Sequence, residues 1–564
     1  MYAILASLPI VLAIVMMLVL KQPASRALFA AWALSAVIAM AFWGLAPAHT
    51  AAYTVLGFVS AIDVMLIIFS AIFLLNVLLE IDFVKTIGNG FNGISQDRRI
   101  QIIIIAWMFG FFLEGAAGFG TPAAIAAPLL TGLGVPVFFA ALASLIANGV
   151  PPLFGAAGTP TSAGFGTINA GLIEQLGVEG AAQVSHQVNT TLGLINLFTG
   201  SFIPFIMIAA IVARDGRKRG IKDAVAILPL CLLAGLAINV PLYMMTFLGS
   251  ELPVIVGALV GIPVFIFAVK KGIFVPKEVY RFQDDPIIEQ GTGDDQGAGV
   301  SLLTAWSPYA IISVVLVLTR LPQLPFFGMI RNPALILQWH GILGFEGINW
   351  NWIVLNNPGL VPFLPISLIY LMVYAKKQNK QGLGKKVLTK TLKQLKNAAI
   401  ALFFGVALVQ IMRFTDYSAV VALAEGAATD VVPMTTAMAT ALAGLFGGVY
   451  PLITPLIGVL GAFVSGSHTV SNIMFYGLQL ETAELLGISG VIVLVGQTFG
   501  GAMGNMVAIN NVVAVAATTN AVGQENKLII GALVPMLIFS LAVSVAMFLL
   551  IAAGGAIFIG PFVI

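Results

Sequence analysis

Gly110-Phe111-Phe112-Leu113-Glu114-Gly115-Ala116-Ala117-Gly118-Phe119-Gly120-Thr121-Pro122-Ala123-Ala124-Ile125-Ala126-Ala127-Pro128 is the stretch whose reading decides the fold. It is apolar enough for a membrane, yet it does not suit one continuous helix. Gly115, Gly118 and Gly120 each cost about 1 kcal/mol against alanine in a helix interior. Pro122 suits a first helical turn, where its missing N–H is not needed. The expected product is a pair of half-helices meeting at a short open loop at membrane depth. Such backbone is tolerated only where it lines a polar cavity, and its free N–H groups at a positive helix end suit a carboxylate. Close helix packing through small residues is the alternative reading.

The rest of the chain is of the same kind. Of 564 residues only 9% are charged and 59% are hydrophobic, against roughly 25% charged in soluble domains. So few charges could not cover a water-soluble globule of this size. The net charge is only +3, and it is not gathered into a groove-binding motif, which excludes a nucleic-acid partner. One cysteine, Cys231, excludes a disulfide scaffold, a cysteine zinc site and an iron–sulfur cluster. No His/Asp/Glu group has metal-ligand spacing, and no Walker loop, Rossmann turn or nucleophile elbow occurs. The chain therefore reads as an all-α polytopic membrane protein that is not an enzyme and needs no cofactor.

Apolar stretches at 3–20, 28–46, 52–79, 100–113, 123–150, 190–213, 224–247, 252–269, 302–319, 354–374, 397–414, 434–464, 486–499 and 528–560 predict roughly 12–14 crossings, at about 20 residues each. The first has no small-residue cleavage site after it and is read as a helix rather than a removed leader. Basic residues mark cytoplasmic loops: Lys21 and Arg26; Lys85, Arg98 and Arg99; Arg214 to Lys222; and Lys376 to Lys396, a run of eight lysines without an acid. This orientation puts the N-terminus outside. His49, His186 and His340 fall in predicted loops. The acidic stretch 276–300 divides the chain into an N-terminal half, 1–275, and a C-terminal half, 301–564.

The halves echo one another. Gly115-Ala116 and Gly120 resemble Gly461-Ala462 and Gly466, and Gly155-Ala156-Ala157-Gly158 resembles Gly501-Ala502-Met503-Gly504, both at an offset of 346. A weaker pair, Asn76 to Asp82-Phe83 and Gln410 to Asp416-Tyr417, has an offset of 334. The first of these helices ends at a basic loop and the second begins at one. That opposition marks an inverted repeat, which in secondary transporters holds substrate between the copies near the midplane.

Four segments concentrate hydroxyls and amides inside apolar sequence: 110–128, 148–166, 465–472 and 497–511. Their candidate substrate contacts are Gly118, Gly120, Thr121, Asn148, Thr159, Ser465, Ser467, Thr469, Asn472, Gln497 and Asn505. Ionisable groups inside a membrane are costly and usually functional, which makes Glu114 and His468 the candidates for proton coupling. Arg413, three residues before Asp416 near a helix end, either reaches the substrate carboxylate as a fork of donors or snorkels to the interface.

Phe112 to Pro122, together with Trp306-Ser307-Pro308-Tyr309 and the pattern of Gly466, Ser467, Thr469 and Asn472, resembles the bacterial lactate permease family, in order from about residue 5 to residue 560. The resemblance implies an inner-membrane symporter of lactate or glycolate with protons, built with paired re-entrant hairpins and moving substrate in an elevator-like way. It also implies an aspartate at position 468 and a lysine at 505, where this chain has His468 and Asn505, and a small polar sequence where Arg413-Phe414-Thr415-Asp416 stands. The expected partners are a small monocarboxylate, protons and the lipid bilayer, with a homodimer left open. Sodium coupling is the rival within the transporter class; a passive anion channel is the rival outside it.

Overall fold

Inside a bilayer every backbone polar group must find a partner within the protein, so apolar runs of this length become helices. The computed structural model describes residues 1–20, 22–91, 94–116, 118, 121–216, 220–283, 300–321, 323–415 and 432–552. Among them, twelve helices are long and apolar enough to cross a membrane. The molecule is an all-α, multi-pass membrane protein.

The main helices are α1 (Tyr2–Leu18), α2 (Ala24–Phe42), α3 (Pro47–Glu80), α4 (Arg98–Ala116), α5 (Thr121–Gly132), α6 (Val137–Ala147), α7 (Gly155–Thr199), α8 (Ile203–Val212), α9 (Leu228–Thr246) and α10 (Pro253–Lys270). In the second half follow α11 (Leu302–Arg320), α12 (Leu364–Lys377), α13 (Leu383–Arg413), α14 (Met434–Phe446), α15 (Tyr450–Ser465), α16 (His468–Leu486), α17 (Gly490–Gly504), α18 (Ile509–Thr519) and α19 (Glu525–Ala552).

Several expectations shift. The lysine run is mostly helix rather than loop: α12 ends at Lys377 and α13 begins at Leu383, so its later lysines form the first turns of α13. Lys386 and Lys390 share the single carboxylate of Glu80 of α3 there, at 2.6 and 3.7 Å. His186 lies within α7 and His49 in the first turn of α3, not in loops. A small antiparallel hairpin, β1 (Ile336–Trp339) with β2 (Trp350–Ile353), interrupts the helices. Trp352 and Asn357 tie the segment around it to Asp63 of α3, at 2.5 and 2.7 Å. The start of the 276–300 stretch is docked: Tyr280 bonds Asp97 through its N–H (3.1 Å) and Asp215 through its hydroxyl (2.6 Å). Residues 284–299, with the acids at 284, 285, 289, 294 and 295, lie outside the described residues.

α3 and α13 form a long antiparallel pair. Gly57 lies directly against the backbone of Ala407. Towards the other end, the Asn76 amide donates to Thr391 (3.0 Å) and Gln394 (2.7 Å). Behind this pair, the helices of the two halves interleave: α7 packs on both α16 and α17, so the polar breaks in all of them are brought together.

Candidate functional site

Four interruptions of helix build the site. The first separates α4 from α5. Gly118 takes φ +61° there, and its N–H closes a turn onto the Glu114 carbonyl at 3.0 Å. The second follows α6. Asn148 ends that helix, Pro151–Phe154 make one tight turn, and Ala156, Ala157 and Gly158 then adopt left-handed backbone (φ 43°, 53° and 75°). Left-handed alanine costs about 1–2 kcal/mol, strain of the kind that concentrates at functional sites. Helix resumes at Thr159-Pro160. Thr159 returns its hydroxyl to the Ala156 carbonyl (2.5 Å), which Pro160, having no N–H, cannot help to satisfy through the helix ladder.

The third break lies between α15 and α16, with Gly466 at φ +69° and the Ser467 hydroxyl accepting from the Val470 N–H at 3.4 Å. The fourth lies between α17 and α18, where Asn511 holds the Asn505 carbonyl at 3.1 Å.

All four meet at one small cavity of about 20 Å³, lined by Glu114, Gly118, Pro152, Gly155, Ala156, Pro160, Gly466, Ser467, His468, Thr469 and Asn505. Two glycines 346 positions apart make room for its two ionisable side chains. A Cβ on Gly155 would lie 2.6 Å from Glu114 Oε1, and a Cβ on Gly501 would strike the His468 ring. Glu114 is buried, and its Oε2 has no hydrogen-bond partner among the described residues. Among the described residues no Lys or Arg lines the cavity.

Proton accounting fixes the state of His468. The Asn472 amide meets the Pro160 carbonyl at 3.1 Å and His468 Nε2 at 3.0 Å. A carbonyl only accepts, so the amide presents its NH₂ to both groups, and Nε2 must be an acceptor. Nδ1 then carries the proton and donates to the Pro152 carbonyl at 2.9 Å. His468 thus donates from Nδ1 and sets Nε2 against the Asn472 NH₂, with the Thr498 backbone also beside the ring. It joins the third break to the second, and so one half of the chain to the other.

Of the residues singled out from sequence, Glu114, Gly118, Ser467, His468, Thr469 and Asn505 line the cavity. Asn472, Thr159, Ser465 and Gln497 stand behind it. Ser465 bonds the Gly461 carbonyl (2.7 Å), and Gln497 bonds Ser471 (3.0 Å) and receives a bond from Gln479 (3.0 Å). Asn148 is buried with neither amide atom partnered among the described residues, but it does not line the cavity, and Asn505 Oδ1 is likewise unpartnered. Gly120, the Thr121 side chain and Asp416 lie outside the described residues.

Arg413 is not brought to the cavity. Its Nη1 donates to the Thr167 carbonyl of α7, and its guanidinium occupies the space beside Gly171 where a side chain would otherwise stand. Glu174, Glu481 and Glu484 supply negative charge around it. It braces α13 against α7, which is neither of the two roles expected from sequence. The sequence reading also missed the Pro152 and Pro160 carbonyls, which hold His468 and Asn472. The prolines signalled breaks, but nothing in a residue's identity announces a freed carbonyl.

Among the described residues no group of His, Cys, Asp and Glu is placed to hold a metal ion. A family model described as L-lactate permease matches residues 2–553. The chain is 30% identical to a putative L-lactate permease of Haemophilus influenzae, over 85% of this chain and 82% of that one. It is 28% identical to the L-lactate permease of Escherichia coli (96% and 94% covered) and 27% identical to the glycolate permease GlcA of the same organism (82% and 80%). Among solved structures, the YdaH transporter of Alcanivorax borkumensis aligns with 73% of this chain and 86% of its own, at a TM-score of 0.32 and 13% identity. With Glu114 and Gly118 of the motif seated where four broken helices meet, and the family model matched over residues 2–553, the chain belongs to the L-lactate permease family of membrane transport proteins.

Proposed function

We propose that this protein imports lactate, or a related 2-hydroxymonocarboxylate such as glycolate, together with a proton, and that Glu114 carries the proton. The observation behind this reading is that, among the described residues, Glu114 Oε2 has no hydrogen-bond partner and no Lys or Arg lines the cavity. An ionised Glu114 and a substrate carboxylate could not share so small a space without compensation. Once protonated, Glu114 becomes a hydrogen-bond donor and the repulsion vanishes, so anion binding and proton binding favour one another. The substrate's charge is then met by the starts of α5 and α16, whose free N–H groups and dipoles favour a carboxylate. The Thr469 and Ser467 hydroxyls and the Asn505 amide are the neutral groups available to its oxygens. One anion moving with one proton is electroneutral, so the pH difference drives uptake.

The packing of α3 against α13 supports an inverted repeat. At the offset of 334, Gly57 corresponds to Thr391 and Phe73 to Ala407. Gly57 touches Ala407, and Asn76, within a turn of Phe73, touches Thr391. The two segments thus run antiparallel to one another, as an inverted repeat requires. The cavity is about the size of one water, so a three-carbon acid fits only after the breaks part, as alternating access requires. The test is uptake of labelled lactate into liposomes holding the purified protein, with pH and Na⁺ gradients imposed separately. Stimulation by the pH gradient alone is expected; uptake that requires Na⁺ and ignores pH would overturn the coupling.

A further inference from the structure

The seam between α3 and α13 closes on the protein side and opens towards the lipid. An open groove of about 730 Å³ runs there between the two helices. Its walls are apolar, with Met65 and Phe69 from α3 and Leu395 and Phe403 from α13, and nearby Ile62 and Leu392 are 41% and 54% exposed. At its lysine-rich end the groove is lined by Lys393 and Lys396. The lysines of α13 thus fall into two sets. Lys386 and Lys390 turn towards α3 and share Glu80. Lys393 and Lys396 turn into the groove and have no acidic partner among the described residues.

The position of these two lysines along α13 gives the groove its chemistry. Directly after Lys396-Asn397 the helix becomes uninterruptedly apolar, through Ala398 to Val409. The two ammonium groups therefore stand where hydrocarbon gives way to headgroups. Below them the trough continues from Lys396 to Phe403, about 10 Å at the helical rise, and it can take the upper part of an acyl chain. Basic pockets between membrane helices at this level suit anionic headgroups. We propose that the groove is a binding site for one anionic phospholipid of the leaflet on the lysine-rich side, with its phosphate on Lys393 and Lys396 and one chain along Phe69 and Phe403. A second copy of the protein fits this face poorly. A two-fold interface presents the same patch from both subunits, which would oppose four unpaired ammonium groups across an apolar seam.

Binding of phosphatidylglycerol to the full-length protein, compared with phosphatidylcholine of the same chains, is the test, read by native mass spectrometry after detergent exchange. The wild type should retain the anionic lipid selectively. The double variant K393Q/K396Q should lose about thirtyfold in that affinity, two ammonium groups at a lipid surface acting together, with its binding of phosphatidylcholine unchanged. K385Q, at an exposed lysine outside the groove, should behave as wild type, and I62W, which fills the trough, should weaken both lipids. Selectivity that survives K393Q/K396Q would overturn the site. Glycerol phosphate without acyl chains displacing the lipid at equal concentration would make it a site for free anions instead. Efficient cross-linking of L392C between copies in bilayers would show that a second subunit covers the groove, and would equally remove the proposal.

Discussion

Glu114 and His468 face the same cavity, but their hydrogen bonds assign them different work. His468 has both ring nitrogens committed, to the Pro152 carbonyl and to Asn472. A second proton on Nε2 would confront the Asn472 NH₂. Glu114 keeps one carboxyl oxygen without a partner among the described residues. Replacing Glu114 with Gln preserves size and adds a permanent donor but removes the titration. The expected outcome is loss of proton-driven accumulation with lactate exchange retained, measured as uphill uptake and as isotope exchange in the same liposomes. His468→Gln should leave the midpoint of the pH profile where it is. Its maximal rate should fall by roughly fivefold, the weight of one buried hydrogen bond at about 1 kcal/mol. A midpoint that moves with His468→Gln would return the proton to the imidazole. Glu114 was legible in the sequence because an acid among glycines in an apolar run has few other reasons to be there. The state of His468 was not, since it depends on the Pro152 and Pro160 carbonyls, which only folding brings against the ring and against Asn472.

At the scale of elements, close approach of α3 and α13 depends on Gly57, whose missing side chain lets the Ala407 backbone in. Small residues at such contacts are how membrane helices reach van der Waals distance without a hydrophobic drive. Gly57→Leu must push the pair apart. A loss of stability of about 1–3 kcal/mol is expected from overpacking, read as a lower midpoint of thermal unfolding in detergent. Unchanged stability would mean that the two helices are not held by this contact. The apolar runs that became α2, α3, α9, α10 and α11 could be read directly from length. The 45-residue α7 could not, because its Gly155 to Ser162 stretch has the composition of a loop. Beyond that break its helix packs on α16 and α17, and it is interrupted once more at Gly177 (φ 73°, ψ 173°). The lysine run was read as a loop because basic residues mark membrane boundaries. Here α13 extends past that boundary, and Glu80 offsets part of its charge.

For the whole molecule, the cavity is far smaller than the proposed substrate, and it is walled by breaks from both halves of the chain. The proposed carrier would have to open to one side at a time. Preloading liposomes with unlabelled lactate should therefore accelerate uptake of labelled lactate, with saturation, whereas a passive pore would show neither. Absence of counterflow acceleration in protein that still transports would favour the channel. Arg413 belongs to this scale also. It ties α13 to α7 through the Thr167 carbonyl, so Arg413→Gln should change the rate of transport more than the concentration of lactate needed for half-maximal uptake. A large rise in that concentration with the rate preserved would restore Arg413 to the binding site.

Composition and apolar run length, by themselves, determined that this is a multi-pass helical membrane protein, because the bilayer leaves the backbone few alternatives. Glycine and proline inside apolar runs located the breaks, and local chemistry picked out Glu114, Gly118, Ser467, His468, Thr469 and Asn505. Which breaks face one another was decided only by tertiary structure, since it requires chain segments more than 300 residues apart to meet, as His468 meets Pro152. Tertiary structure alone also withdrew Arg413 from the cavity, moved Gln497 and Ser465 behind it, and left one carboxyl oxygen of Glu114 without a partner among the described residues. Each of those outcomes depends on what stands opposite a side chain in space, and a single chain of residues carries no record of that.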